Sequence, residues 1–351
     1  METQLCVLNY EKTDQKIIEE AGNIIKNGGL VAFPTETVYG LGGDALNPSS
    51  SAKIYAAKGR PSDNPLIVHI ADMESLYRIV KDVPEQAIKL AEAYWPGPLT
   101  MIFQKTEEVP LETTGGLQTV AVRMPNDPIA LAFIKASGGY IAAPSANTSG
   151  KPSPTLAKHV AEDMNGKIEM ILDGGAVGIG LESTIVDLTG KKPMILRPGY
   201  VTEAMIAEVL GEVAIDKTIL DNHSKVAPKA PGMKYRHYAP NGELVIVEGD
   251  TQKVVAYIND KLEQYQRKNA KTGVIATDET CALYKADVIK SAGKRADEAA
   301  IAHQLYAFLR DFDSEHVDYI FAESFATDGV GQAIMNRLLK AAGHKIIHLD
   351  E

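Results

Sequence analysis

One stretch decides how this chain can be organised. Between Gly211 and Asn241 the apolar periodicity stops, and VAPKAPGMKYRHYAPNG brings Pro228, Pro231 and Pro240 without any regular hydrophobic spacing. Proline fixes φ and removes a backbone donor, so such a run neither continues a helix nor joins a central strand. It reads as a linker, 211–243, between a first domain, 1–210, and a second, 244–351. A chain of 351 residues has room for both, at ~100–200 residues per domain.

Before the linker, short β-branched and apolar runs alternate irregularly with helical patterns. Asp14 caps a helix whose Ile17, Ile18, Ala21, Ile24 and Ile25 share one face, and Gly28-Gly29 ends it. Residues 50–59, the run from Pro84 to Tyr94, and segments after Asp127, from Thr155 and over 202–210 also read as helices. LVAF, LIVHI, TMIFQ, TVAVRM, YIAA, IEMIL, STIVDL and PMILR read as strands. Several strands follow one another directly, which predicts a mixed sheet. After the linker the order becomes regular. LVIVEG, TGVIAT, ADVIKSAG, VDYIFAES and KIIHL are separated mostly by helices, as parallel βαβ units require.

Composition narrows the function classes. With 36 basic and 46 acidic residues the chain is acidic overall, which argues against coating nucleic acid by bulk charge. No apolar run approaches the ~18–20 residues of a membrane span. Cys6 and Cys281 are too few and too distant in sequence for a disulfide framework or a zinc knuckle, and no signal-like segment opens the chain. A cytoplasmic protein is expected. The familiar nucleotide motifs fail as well: SANTSGKPS lacks the first glycine of a phosphate loop, and GAVGIG has Ser183 where the dinucleotide pattern needs its last glycine.

The polar residues concentrate at breaks. The first 210 residues hold only four arginines, and Arg60, Arg123 and Arg197 each stand beside a proline where an element stops. Such an arginine offers a rigid fork of donors to an anionic ligand, or pairs with a nearby carboxylate such as Asp63, Asp127 or Glu182. PTETVYGLGGD, read as a turn with a glycine cluster, and APSANTSGKPSP supply hydroxyl and amide groups at strand ends, as nucleotide recognition needs. GLESTIVDL presents Glu182, Ser183 and Thr184 ahead of a strand. His69 lies on a strand, and Trp95 reads as a packing anchor.

In order, PTETVYGLG, Lys58-Gly59-Arg60, NPLIVHI, WPGPLT, VAVRMP, APSAN, GLESTIVD and LRPG resemble the YrdC-like threonylcarbamoyl-AMP synthase family, and PGMKYRHYAP with the α/β tail resembles its two-domain form. The resemblance implies an open, twisted, mixed α/β sheet of YrdC-like type, with a second, smaller, Rossmann-like parallel α/β domain. It implies synthesis of threonylcarbamoyl-AMP from L-threonine, bicarbonate or carbon dioxide, and ATP, with release of pyrophosphate. The product then passes to a complex that modifies tRNA.

By that resemblance Arg123 takes the threonine carboxylate, with Thr37, His69, Ser183 and the backbone of Ala143 around it. Lys58, Arg60, Asn64, Thr119, Ser145, Asn147, Ser153, Arg197 and Tyr235 are the ATP candidates, with Lys58 and Arg60 also stabilising charge during reaction. Mg²⁺ is expected to arrive with ATP, held by phosphate oxygens and water. The PGMKYRHYAP segment is expected to cover the cavity mouth. The competing expectations are a non-catalytic RNA-binding module acting in translation, and a carbamoyl transferase for another acceptor.

Overall fold

The computed structural model describes residues 2–11, 14–216 and 237–349. Tyr235 and most of the covering segment therefore lie outside the described residues. The described chain falls into two compact units, one of 2–149 and 153–216 and one of 150–152 and 237–349, apart from the gaps just named.

The first unit is built on a sheet of eleven strands. In chain order they are β1 (Gln4–Val7), β2 (Val31–Phe33), β3 (Gly40–Asp44), β4 (Ile67–His69), β5 (Leu99–Gln104), β6 (Thr119–Arg123), β7 (Ile141–Ala143), β8 (Met170–Asp173), β9 (Thr184–Asp187), β10 (Met194–Arg197) and β11 (Ala214–Ile215). Across the sheet they run β1-β8-β2-β3-β7-β4-β6-β5-β9-β10-β11. Pairs such as β4/β6 and β5/β9 are parallel, whereas β3/β7, β4/β7 and β5/β6 are antiparallel. The mixed sheet follows as expected from strands placed consecutively in sequence.

Local chemistry sets the helix ends. Asp14 accepts from Lys16 N and caps α1 (Gln15–Lys26). Asn47 caps α2 (Pro48–Lys58), proline opens it, and Gly59 at φ 63° ends it, so this helix starts before the expected residue 50. Pro84 is the N-cap residue of α4 (Glu85–Tyr94). The helix α3 (Met73–Ile79), capped by Asp72, and the strands β1 and β3 were not marked by the sequence pattern.

β3 is the instructive case. The glycine cluster expected to form a turn is a strand inside the sheet. A Cβ on Gly42 would lie 2.9 Å from Ile141 Cγ2, and one on Gly40 3.0 Å from the Phe33 ring. The glycines are there because neighbouring side chains fill the space, not because the chain turns. Trp95 is buried, and its indole N–H donates to Leu99 O, consistent with an anchor.

The second unit has a parallel sheet of β12 (Glu243–Glu248), β13 (Thr272–Ala276), β14 (Val288–Ser291), β15 (Tyr319–Glu323) and β16 (Ile346–His348), in the order β14-β13-β15-β12-β16. After α5 (Pro128–Ala136), α6 (Ala157–Met164) and α7 (Glu203–Leu210) of the first unit, its helices include α8 (Thr251–Gln266), α9 (Glu298–Ser314) and α10 (Gly331–Ala341). The regular β/α alternation thus becomes the parallel architecture that it predicts. No helix of the described residues is long and apolar enough to cross a membrane.

Candidate functional site

Sheet register gathers the polar residues of the first unit. His69 on β4 pairs with Arg123 on β6, Arg123 with Thr100 on β5, Thr100 with Ile185 on β9, and Ile185 with Arg197 on β10. Residues in register share a face, so His69, Arg123 and Thr100 form one polar row across the strands. Ser183, just before β9, ties this row to Arg197. Its hydroxyl is 2.8 Å from Thr100 Oγ1 and accepts from Arg197 Nη2 at 3.1 Å, while Arg197 Nε donates to Ser183 O at 3.0 Å. Gly199 permits this approach, since a Cβ there would stand 2.5 Å from Thr184 N.

The loop after β2 lies against Arg123. Arg123 Nη1 donates to Thr37 Oγ1 at 2.8 Å and Nε to Gly97 O at 3.3 Å. Thr35 orders the loop by accepting from Thr37 N and Val38 N, and Ile179 N and Gly180 N donate to the carbonyls of Glu36 and Thr37. The GAVGIG segment therefore braces this loop. Tyr39 helps, donating its hydroxyl to Gly175 O at 2.6 Å.

Arg123 is buried, and its ionic partner is Glu36, with Nη2 2.7 Å from Oε2. The angle is poor, however, so that contact is an ion pair without a hydrogen bond. Both Glu36 carboxylate oxygens and Arg123 Nη2 lack a hydrogen-bond partner among the described residues. Asp127, the carboxylate nearest Arg123 in sequence, instead caps α5 (Pro128–Ala136) through Ala130 N and accepts from Tyr10.

His69 is held neutral. Burial, and then the positive charge of Arg123, push its pKa down to about 3. Its Nδ1 lies 3.2 Å from Ile67 O. A carbonyl only accepts, so Nδ1 carries the hydrogen and Nε2 is the acceptor of the ring.

The other candidates lie further along the same sheet. Ala143 pairs with Ile67. Ile67, Ala121, Ile102, Ile185 and Leu196 form an apolar floor next to the polar row. Thr119 shares the face of Arg123, but four residues toward the other end of β6, about 13 Å away at ~3.3 Å per residue. Arg60 lies toward that far end, donating through Nε to Asn64 O and through Nη2 to Pro65 O.

Lys58 is buried, and its ammonium donates to Ser145 O, and to Asn147 O at 2.6 Å. Ser145 Oγ in turn donates to Asn147 Oδ1 at 2.5 Å, and Ser149 N returns to Lys58 O. Lys58, Ser145 and Asn147 are thus brought together, the lysine shaping the loop that carries the other two. Ser153 Oγ donates to Glu182 Oε1 at 2.6 Å. Sequence reasoning missed Glu36 and Thr100. The acid between two threonines in PTETV was the available signal for the first, and the β5/β6 register alone reveals the second.

Among the described residues no three His, Cys, Asp or Glu side chains come together as a metal cage. The described side chains of the site therefore offer no all-protein cage for a metal ion.

Residues 23–199 match the family described as telomere recombination, which groups Sua5, YciO and YrdC, and residues 201–343 match the threonylcarbamoyl-AMP synthase C-terminal domain. The chain is 49% identical to threonylcarbamoyl-AMP synthase of Bacillus subtilis over 95% of each protein. It is 49% identical to that of Pyrococcus abyssi over 96% of this chain and 97% of that one. The crystal structure of P. abyssi Sua5 complexed with L-threonine is similar at a TM-score of 0.94 and 48% identity, covering 99% of this chain and 100% of that one. With both domains matched and the polar row in place, this chain belongs to the threonylcarbamoyl-AMP synthase family.

Proposed function

We propose that the chain joins L-threonine, carbon dioxide or bicarbonate, and ATP into threonylcarbamoyl-AMP and pyrophosphate. The observation that carries this reading is one sheet face with Arg123, Thr37, His69 and Ser183 at one end, an apolar floor, and Thr119 about 13 Å along the strand. A small zwitterion suits the first end. A base or ribose suits the floor and the end beyond it.

Arg123 takes the threonine carboxylate, and neutral His69 accepts an N–H of the amine. The amine nitrogen, in its neutral form, attacks the carbon of carbon dioxide and loses a proton, or displaces water from bicarbonate; either gives a carbamate. A carbamate oxygen attacks the α-phosphorus, the bond to the β-phosphate oxygen breaks, and pyrophosphate leaves with that electron pair. In this reading Arg197, beside Ser183, stabilises charge growing at the amino-acid end and Arg60 stabilises charge from the nucleotide end, while Lys58 holds the Ser145–Asn147 loop in position. No nucleophilic side chain is needed; alignment and charge neutralisation lower the barrier. Mg²⁺ enters with the nucleotide, bound by phosphate oxygens and water. A cytoplasmic setting suits two free cysteines, and a carrier complex that modifies tRNA consumes the product.

The test is pyrophosphate release from ATP, bicarbonate and each amino acid in turn. Release that requires both threonine and bicarbonate supports the reading. Release indifferent to either contradicts it.

A further inference from the structure

Glu36 has no assigned role, yet it holds the least satisfied buried charges of the first unit among the described residues. Its carboxylate can accept about four hydrogen bonds and accepts none, and its one ionic contact, with Arg123 Nη2, is misaligned. The Glu36 backbone is pinned through Ile179 N at 2.7 Å, so the side chain can turn while the loop stays. Arg123 is equally uncommitted on that side, because Nη1 and Nε have partners and Nη2 has only the poor contact.

We infer that Glu36 is a specificity-determining residue that recognises the α-ammonium of the amino acid, which inserts between Glu36 and Arg123. The inference rests on the reading that Arg123 receives the carboxylate. One poor ion pair is then exchanged for two good ones, guanidinium to carboxylate and carboxylate to ammonium. The buried site stays charge-balanced throughout. A ligand with only one of the two charges leaves a buried partner unpaired, which is costly. The site thereby selects an α-amino acid over a hydroxy acid of the same shape. His69 and Thr37 remain available to the neutral amine and the side-chain hydroxyl.

The experiment is calorimetric titration of the full chain with L-threonine and with 2,3-dihydroxybutanoic acid, which carries a hydroxyl in place of the amine. Wild type should bind threonine at least about 30-fold more tightly than the hydroxy acid. Glu36→Gln should weaken threonine by about 30-fold or more and leave the hydroxy acid unchanged or tighter, while ATP affinity holds.

Three results overturn the inference. One is threonine binding by Glu36→Gln at or above wild-type strength, which would make Glu36 a mere competitor for Arg123. Another is equal loss of both ligands, which would make it only a prop for the guanidinium. The third, needing no variant and so surviving a folding failure, is wild type that binds the two ligands within about threefold. Arg123→Ala separates the two layers: threonine binding that survives this change sinks the carboxylate reading itself, whereas its loss leaves Glu36 to be judged on the results above.

Discussion

Each unit buries a glutamate against an arginine, and the two pairs are built in opposite ways. In the second unit Glu323 closes β15, is 3% exposed, and accepts from Tyr284 Oη at 2.7 Å, from Thr280 Oγ1, from Thr277 Oγ1 at 3.4 Å and from Arg295. Arg295 also donates to Ser324 O. Burial, and next the bond to Glu323, raise the Tyr284 pKa, so its hydroxyl stays a donor. In the first unit Glu36 and Arg123 touch without a hydrogen bond. Both glutamates carry the desolvation cost of buried charge, although Arg295, unlike Arg123, is partly exposed. Only the Glu323 pair recovers it within the fold. On the proposal above, the Glu36 pair leaves the recovery to the amino acid that binds, as a recognition site rather than a structural brace would.

The contrast can be broken in four places. The largest effect is expected at Arg123. Arg123→Ala should lower kcat/KM for threonine by about 100-fold or more, with far less change in KM for ATP, as measured by pyrophosphate release. Comparable losses for both substrates would mean that the guanidinium braces the whole sheet face.

Next comes the brace itself. Glu323→Gln replaces an acceptor of several donors by a group that must itself donate, and should cost about 2–3 kcal/mol in urea unfolding of the full chain. A cost near zero would remove the distinction between the two pairs.

His69 supplies a pH signature of similar but smaller size. Its folded pKa is lowered to about 3, against an ordinary value of 6.5. Stability is therefore fully present above about pH 6.5 and falls as the pH drops, because the unfolded chain binds a proton that the folded one refuses. The His69 share of the loss between pH 7 and 5 should be about 2 kcal/mol, present in the wild-type profile and absent from that of His69→Asn. Parallel pH profiles for the two proteins would contradict the neutral assignment.

The smallest effect is expected for Glu36→Gln in the absence of ligand. Glu36 has no hydrogen bond to lose but is the ionic partner of buried Arg123, so unfolding free energy should fall by about 1–2 kcal/mol, less than for Glu323→Gln. A loss as large as that of Glu323→Gln would show Glu36 to be structural after all.

What the sequence revealed follows the same division. Patterns that depend on neighbours in the chain were legible: the Asp14 cap, the β-branched strands, and the alternation that gives the second unit its parallel sheet. Features fixed by distant packing were not. Gly40, Gly42 and Gly43 carry the composition of a turn but lie in a strand, because Phe33, Ile141 and Ile54 occupy the space their side chains would need. Arg123 suggested Asp127, its sequence neighbour, as a partner, yet topology brings in Glu36 from the loop after β2, distant in sequence, and leaves Asp127 to cap α5. The family motifs singled out Thr37, His69, Arg123, Ser183 and Arg197, which the sheet brings close together. Their wiring through Thr100 is a matter of register, which no single segment encodes.

The most direct measurement is a crystal structure of the chain with L-threonine bound. The expected result is a threonine carboxylate on Arg123 Nη2, with the Glu36 side chain turned to within hydrogen-bond distance of the ammonium. A threonine seated elsewhere, with Glu36 still against Arg123, would contradict the proposal that this open ion pair is the amino-acid site.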